Sequence, residues 1–134
     1  MVVLYNVFHT APAVRAFSGD ELCSISEELA IRNAKLNVTG ILHYQDREFF
    51  QILEGEKTAI DEILQLVDND IRHDKFHTIW YGKLTQRAYS NWGLSKMMAT
   101  EIGDHCNYAN PTGVSTTALD LFSELIPKVI AAYK

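Results

Sequence analysis

Residues 38–55, VTGILHYQDREFFQILEG, contain the pattern that decides the fold. Two runs rich in β-branched, aliphatic and aromatic residues, 38–44 and 48–54, flank the short turn Gln45-Asp46-Arg47. Such an arrangement predicts a β-hairpin of two strands joined by a tight turn. Gly55 is expected to close the second strand.

A helix is predicted on each side of this hairpin. Upstream, Ser18 followed three residues later by Glu21 forms a capping box, and the helix that it starts is expected to run to Leu36. Asn37 then occupies the position after the helix, where a left-handed backbone is needed. Downstream, apolar residues at helical spacing predict an amphipathic helix over residues 57–69.

Three further strands complete the predicted sheet. Residues 2–10 are rich in Val, Leu, Tyr and Phe and are followed by a Pro-containing loop over 11–17. Two more strands are expected near 75–84 and 91–99. The order β-α-β-β-α-β-β predicts an α+β, ferredoxin-like fold, in which both helices pack on one face of an antiparallel-rich sheet.

The chain is expected to divide into a main domain at 1–100, a loop at 101–114 and a helical extension at 115–134. Pro127 is expected to bend or split the last helix. The wide apolar face of this helix should pack on the free side of the sheet or on another subunit, and we favour a homo-oligomer. Its apolar residues are Leu119, Phe122, Leu125, Ile126, Val129 and Ile130.

Composition narrows the classes of function. A chain of 134 residues with 47% hydrophobic residues fits one globular domain. Its net charge of -5 disfavours direct binding to nucleic acid, and no apolar stretch is long enough to predict a membrane span. Cys23 and Cys106 show no disulfide-framework spacing, and no signal peptide is recognised, so reduced thiols and a cytoplasmic location are expected.

Two carboxamides lie on apolar faces. Asn33 falls within the apolar arc of the first helix, and Gln51 shares a strand face with Phe49 and Leu53. A buried carboxamide needs matched hydrogen-bond partners. Each amide alone is more simply explained by a bond to nearby backbone, but the two together suit a ligand that has alternating carbonyl and N–H groups along one edge, such as a flavin ring.

These residues belong to a pattern that resembles the BLUF family of blue-light sensors that use flavin. The resemblance covers about residues 2–97. Its motifs are Asn33, Asn37-Val38-Thr39-Gly40, Phe49-Phe50-Gln51-Ile52-Leu53-Glu54-Gly55, Asp70-Ile71-Arg72-His73, Arg87 and Trp92-Gly93-Leu94.

The resemblance implies a cofactor, FAD or alternatively FMN, held between the two helices of the main domain. Asn33 would bind the pyrimidine carbonyl of the isoalloxazine ring, and Gln51 would reach its N5 and C4-carbonyl side. Arg72 and His73 would lie near the ribityl phosphate. The full set of cofactor-binding residues implied is Phe8, Ile25, Arg32, Asn33, Gln51, Arg72 and His73.

The chain departs from the family at the photoactive position. The family carries a Tyr two residues before a Ser on the first strand, and Phe8 before Thr10 fits that spacing here. An ungapped count back from Asn33 gives His9 instead, and neither residue is a Tyr. Because Phe has no phenolic proton, the photocycle is expected to be altered or lost. The other photoactive-site positions are Gln51, Trp92 and Leu94. Leu94 occupies the position where the family has Met.

Two functions therefore stay open, neither of them catalytic. The first is a flavin-binding light sensor with an altered photocycle, which signals to an unknown downstream protein. The second is an interaction module on the same scaffold that no longer needs flavin. A metal site at His73 and His77 is disfavoured because no acidic third ligand accompanies them, and His105-Cys106 is interpreted as a chance pair.

Overall fold

A computed structural model describes the backbone of residues 2–132 and the side-chain surroundings of residues 2–128. The predicted order of strands and helices is confirmed over the sheet. The elements are β1 (Leu4–Pro12), α1 (Gly19–Lys35), β2 (Thr39–Gln45), β3 (Glu48–Glu56), α2 (Lys57–Asp68), β4 (His77–Leu84), β5 (Trp92–Leu94), a 3₁₀ turn (Lys96–Met98), α3 (Ala99–Ile102) and α4 (Thr117–Ala132).

The five strands form one mixed sheet in the order β4-β1-β3-β2-β5. β1 pairs antiparallel with β3 and β4, and β2 pairs antiparallel with β3. β5 is added at the edge, parallel to β2. This is the expected ferredoxin-like topology with an extra strand, and the α+β prediction is confirmed.

Short-range signals set the ends of the elements. The Ser18 side chain accepts a hydrogen bond from the Glu21 amide, and the Glu21 carboxylate accepts one from the Ser18 amide, so the predicted capping box is present. Asn37 has φ of 54°, in the left-handed region that the end of α1 requires. Asp46 and Arg47, with φ of 52° and 63°, form the tight hairpin turn between β2 and β3.

The predictions for the C-terminal third need correction. The strand predicted over 91–99 ends at Leu94, because the Ser95 side chain accepts a hydrogen bond from the Met97 amide and starts a 3₁₀ turn. α3 then lies within and just before the predicted 101–114 loop. α4 passes through Pro127 as one helix and is not split. The side chains of Val129 and Ile130, and residues 133–134, lie outside the described residues.

The sheet has two unlike faces, because successive residues of a strand point to opposite sides. We call the side covered by α1 and α2 the paired-helix face and the opposite side the α4 face. Buried residues of the paired-helix face include Val7, Leu29, Leu42, Leu53 and Ile63. Buried residues of the α4 face include Phe8, Ile41, Phe50, Ile52, Phe122 and Ile126.

Two cysteines expected to be separate are joined in the structure. Cys23 of α1 and Cys106, 83 residues later, form a disulfide with 5.4 Å between their Cα atoms. Sequence spacing did not reveal this pairing because tertiary packing alone brings the loop after α3 onto α1. Within residues 2–132, no helix has the length and apolar character needed to cross a bilayer.

Candidate functional site

A pocket opens on the paired-helix face, between α1, α2 and the strands beneath them. It encloses about 460 Å³, including the space at its open mouth. Its lining combines apolar side chains with a few polar and charged ones, a composition typical of sites that orient a small molecule. The lining residues are His9, Ala11, Ile25, Leu29, Arg32, Leu42, Phe49, Gln51, Val67, Asp70, Arg72 and His73.

At the inner end of the pocket, Gln51 is held by two side chains. Its Nε2 lies 2.9 Å from His9 Nε2, and its Oε1 accepts a hydrogen bond of 3.2 Å from Trp92 Nε1. Since the amide nitrogen can only donate, His9 Nε2 is the acceptor and the imidazole carries its proton on Nδ1. Burial, assisted by repulsion from His73, lowers the pKa of His9 to about 3, so the ring is neutral near pH 7.

This geometry corrects the residue predicted at the photoactive position. Phe8 lies on the α4 face, where its ring packs 5.6 Å from that of Phe122, and it does not line the pocket. His9 is directly opposite Gln51 across the β1–β3 pairing. Of the two counts, the ungapped one from Asn33 selects the residue that lines the pocket, and strand alternation is the physical reason why both residues cannot face the same helices.

A second polar end lies on α1. Arg32 Nη2 and Asn33 Nδ2 are buried and have no hydrogen-bond partner among the described residues. Arg32 Nε donates to Asn33 Oδ1 at 3.0 Å, so the two side chains are joined while one N–H group of each stays unmatched. Unmatched buried donors are costly and rare. They favour a site for a ligand that has carbonyl or other acceptor groups.

The mouth of the pocket carries both signs of charge. Arg72 bonds to Asp70 through its Nε at 3.0 Å and reaches Glu28 at 3.5 Å. Burial lowers the pKa of Arg32, with Arg72 adding repulsion, while Asp70 and Glu28 oppose that shift. Two guanidinium groups and the His73 ring thus lie near the entrance, where they suit an anionic group.

The structure brings together most of the residues selected from sequence. Ile25, Arg32, Gln51, Arg72 and His73 line one pocket. Asn33 is fully buried beside Arg32 and not on the pocket wall, and Trp92 reaches the pocket through Gln51. Leu94 is fully buried on the same face and does not line the pocket.

Sequence reasoning missed much of the pocket wall. Side chains alternate between the two faces along β1, and its register against β3 places His9 on the pocket side. The same alternation along β2 and β3 places Leu42 and Phe49 on that side. Leu29 and Val67 needed the packing of α1 and α2 on the sheet. His9 was named only as the alternative to Phe8, and the wall residues not selected from sequence were Ala11, Leu29, Leu42, Phe49, Val67 and Asp70.

Comparisons with known proteins agree with this geometry. The family model described as BLUF, sensors of blue-light using FAD, matches residues 4–95. A photoactivated adenylate cyclase subunit beta from Euglena longa is 32% identical over a 102-residue alignment that covers 72% of this chain and 12% of that protein. The chain therefore spans about an eighth of that relative.

Solved structures give the same fold. The dark-state structure of BlrB, a BLUF protein, is 26% identical with a TM-score of 0.64, and the match covers 75% of this chain and 79% of that one. Klebsiella pneumoniae BlrP1 with FMN and cyclic diGMP is 18% identical with a TM-score of 0.72 over 92% of this chain and 36% of that one.

Proposed function

This chain belongs to the BLUF family, and we propose that it binds a flavin in the pocket between α1 and α2 and acts as a blue-light-sensing regulatory domain with an altered photocycle. One observation carries the proposal: the buried, unpartnered donors Arg32 Nη2 and Asn33 Nδ2 beside that pocket. A flavin supplies the carbonyl acceptors that these groups lack, together with an absorbing ring that oxidises neighbouring side chains when excited.

Different residues of the chain would bind different parts of the flavin. Arg32 and Asn33 would hold the carbonyl edge of the ring, and Ile25 would pack on it. Arg72 and His73 would face the ribityl phosphate. Gln51 would orient the inner edge, since its amide already lies between His9 and Trp92.

His9 is the feature that distinguishes this site from a BLUF site with a Tyr. A neutral imidazole accepts the Gln51 amide hydrogen, whereas a phenol can donate a proton to the Gln51 carbonyl. His9 therefore favours one orientation of the amide, with Oε1 towards Trp92. Imidazole is also a poorer electron donor than phenol, which leaves Trp92 as the neighbouring group that is easier to oxidise.

Flavin binding is tested with the full chain. The purified protein should release FAD on heating, or bind added FAD at micromolar concentration, and FMN titrated in parallel measures the preference between the two. If neither flavin is found or bound, the interaction-module function replaces the sensor function.

Photochemistry tests the role of His9. With flavin bound, blue light should give no lasting red shift of the flavin absorption band in the wild-type protein. His9→Tyr should introduce a reversible shift, because it places a phenol next to Gln51. Phe8→Tyr is the matched control and should not do so, since position 8 lies on the α4 face. A normal reversible shift in the wild-type protein would show that this account is wrong.

A relative that contains a similar segment is a photoactivated adenylate cyclase subunit, which supports an output through an effector. We propose a downstream protein partner and a non-catalytic role for this chain. A cytoplasmic location stays a prediction, and the Cys23–Cys106 disulfide contradicts the reduced thiols from which it was argued. Self-association stays a prediction, and Ala118, Phe122 and Ile126 of α4 are already buried within one chain.

A further inference from the structure

We propose that Cys23 and Cys106 form a reversible thiol–disulfide switch that fixes the segment 103–110 against α1 and β5. The bond joins the helix that carries Ile25 and Arg32 to a segment that contacts the strand of Trp92. Its proposed influence on flavin rests on the proposed function, whereas the switch itself does not.

Part of the segment 103–110 lies beside the edge strand β5, with one parallel β-bridge between Leu94 and Tyr108. The Leu94 amide donates to the Asn107 carbonyl at 2.9 Å, and the Ala109 amide donates to the Leu94 carbonyl at 2.8 Å. Gly93 permits this approach, since a Cβ there would lie 2.5 Å from the Tyr108 carbonyl carbon. The backbone of the segment therefore lies in direct contact with the backbone of β5 at Gly93.

Asn107, next to the disulfide, connects the segment 103–110 to β5 and to α1. Its Nδ2 donates to the Trp92 carbonyl at 2.8 Å, and its carbonyl accepts from the Ser26 hydroxyl of α1 at 3.1 Å. Asn91 and Ser90 add hydrogen bonds to Tyr108 and Asn110, and the disulfide is the covalent link from this segment to α1. Opening the disulfide would leave these hydrogen bonds to hold it alone, and we expect it to open more often.

A metal site is the alternative use of these residues. A side-chain ligand atom of His105 lies with the sulfurs of Cys23 and Cys106 in a group spanning at most 4.8 Å. Zinc normally takes four ligands, and the cluster found among the described residues supplies three. The two sulfurs are bonded to each other, so we favour the disulfide.

The chemistry balances as thiol–disulfide exchange with a small-molecule disulfide of the glutathione class. A Cys106 thiolate attacks that disulfide and releases one thiol, and the Cys23 thiolate then displaces the second. The protein loses two protons and two electrons, and the oxidant is reduced to two thiols. Cys106 is half-buried and next to exposed His105, so it is the sulfur that a reagent reaches first, whereas Cys23 is 7% exposed.

The experiment follows thiols and backbone in the full-length protein, in the dark and without added flavin. Protein is equilibrated with oxidised or reduced glutathione and alkylated, and its free thiols are counted by mass spectrometry. Hydrogen exchange of the Leu94 and Ala109 amides is measured by NMR. We expect no free thiols in protein treated with oxidised glutathione and two in protein treated with reduced glutathione. The amides of Leu94 and Ala109 should exchange at least tenfold more slowly in the oxidised protein. The Ile52 amide of central strand β3 is the internal control and should exchange equally slowly in both states.

Cys23→Ser and Cys106→Ser provide the matched variants. Each should show the fast exchange of the reduced protein whichever glutathione is present. Failure to form the disulfide, an exchange ratio near one, or one bound zinc that protects both thiols from oxidation would each overturn the switch. These readouts need neither light nor flavin, so their failure is distinct from loss of flavin binding.

Discussion

Two equally buried polar residues on opposite sides of the sheet, Glu54 and Asn33, differ in how completely their polar atoms are matched. On the α4 face, Glu54 is fully buried, and its carboxylate accepts hydrogen bonds from the Thr39 hydroxyl at 2.8 Å and from the Ala88 and Tyr89 amides at 2.7 and 3.2 Å. On the paired-helix side, Asn33 is equally buried but its Nδ2 has no partner among the described residues. Burial alone therefore does not distinguish a structural residue from one proposed to bind a ligand.

The difference lies in how completely the chain matches its own donors and acceptors. Around Glu54 the chain supplies three donors, although burial still raises the pKa of this carboxyl against their effect. Arg32 and Asn33 each have one buried donor nitrogen with no acceptor among the described residues. A matched group stabilises the fold, whereas an unmatched one reduces stability until a ligand binds.

The largest expected effect is on the α4 face. Phe122→Ala removes a buried ring that packs on Phe8, and such truncations cost about 3–5 kcal/mol of the free energy of unfolding. Urea denaturation of flavin-free protein measures it, with exposed Ser123→Ala as the control. The folded fraction should keep its flavin affinity. If affinity falls in proportion to stability, the two faces are not independent.

The next effect is a pH dependence on the paired-helix face. The folded pKa of His9, about 3, is below its ordinary value of 6.5, so the unfolded chain binds the extra proton first as pH falls. The free energy of unfolding should decrease by about 1.4 kcal/mol per pH unit between these values, or about 2 kcal/mol by pH 5.

His9→Gln should reduce this slope in urea denaturation of flavin-free protein between pH 7 and pH 5. His43, on the α4 face, should account for part of the slope that is left, since burial lowers its pKa in the same direction. A variant with the wild-type slope would contradict a buried neutral His9.

A smaller effect is expected at Glu54. Glu54→Gln replaces an acceptor oxygen by an NH₂ group that must face either the Thr39 hydroxyl and the Tyr89 amide or the Ala88 amide. We expect a loss of about 1–3 kcal/mol of the free energy of unfolding. Chemical denaturation measures it, and exposed Glu56→Gln is the control. Equal stability of the two variants would mean that these bonds contribute nothing measurable.

The smallest expected change in stability is at Asn33. Asn33→Leu removes an unmatched donor together with the bond from Arg32, so the flavin-free protein should stay within about 1 kcal/mol of the wild type. Flavin affinity, measured by fluorescence titration, should nevertheless fall at least about tenfold. The pattern is the reverse of that for Phe122→Ala. A strongly destabilised variant with normal affinity would reassign Asn33 to the structural core.

Local sequence determined the elements and much of the site. The Ser18 capping box, the left-handed Asn37 and the Asp46-Arg47 turn depend on neighbouring residues, so their positions were predictable and are confirmed. Asn33 and Gln51 were indicated by a local signal, an amide on an apolar helical or strand face, whereas Ile25, Arg32, Arg72 and His73 were implied by the resemblance to the BLUF family. The structure places Ile25, Arg32, Gln51, Arg72 and His73 around one pocket.

Only the tertiary structure decided three matters. It chose His9 over Phe8, because the parity of β1 is fixed by its register against β3 and not by the β1 sequence itself. It ended β5 at Leu94, where Ser95 begins a turn and part of the segment 103–110 lies beside the strand. It joined Cys23 to Cys106, a contact between residues 83 positions apart that no local pattern encodes, because packing of the loop after α3 on α1 brings them together.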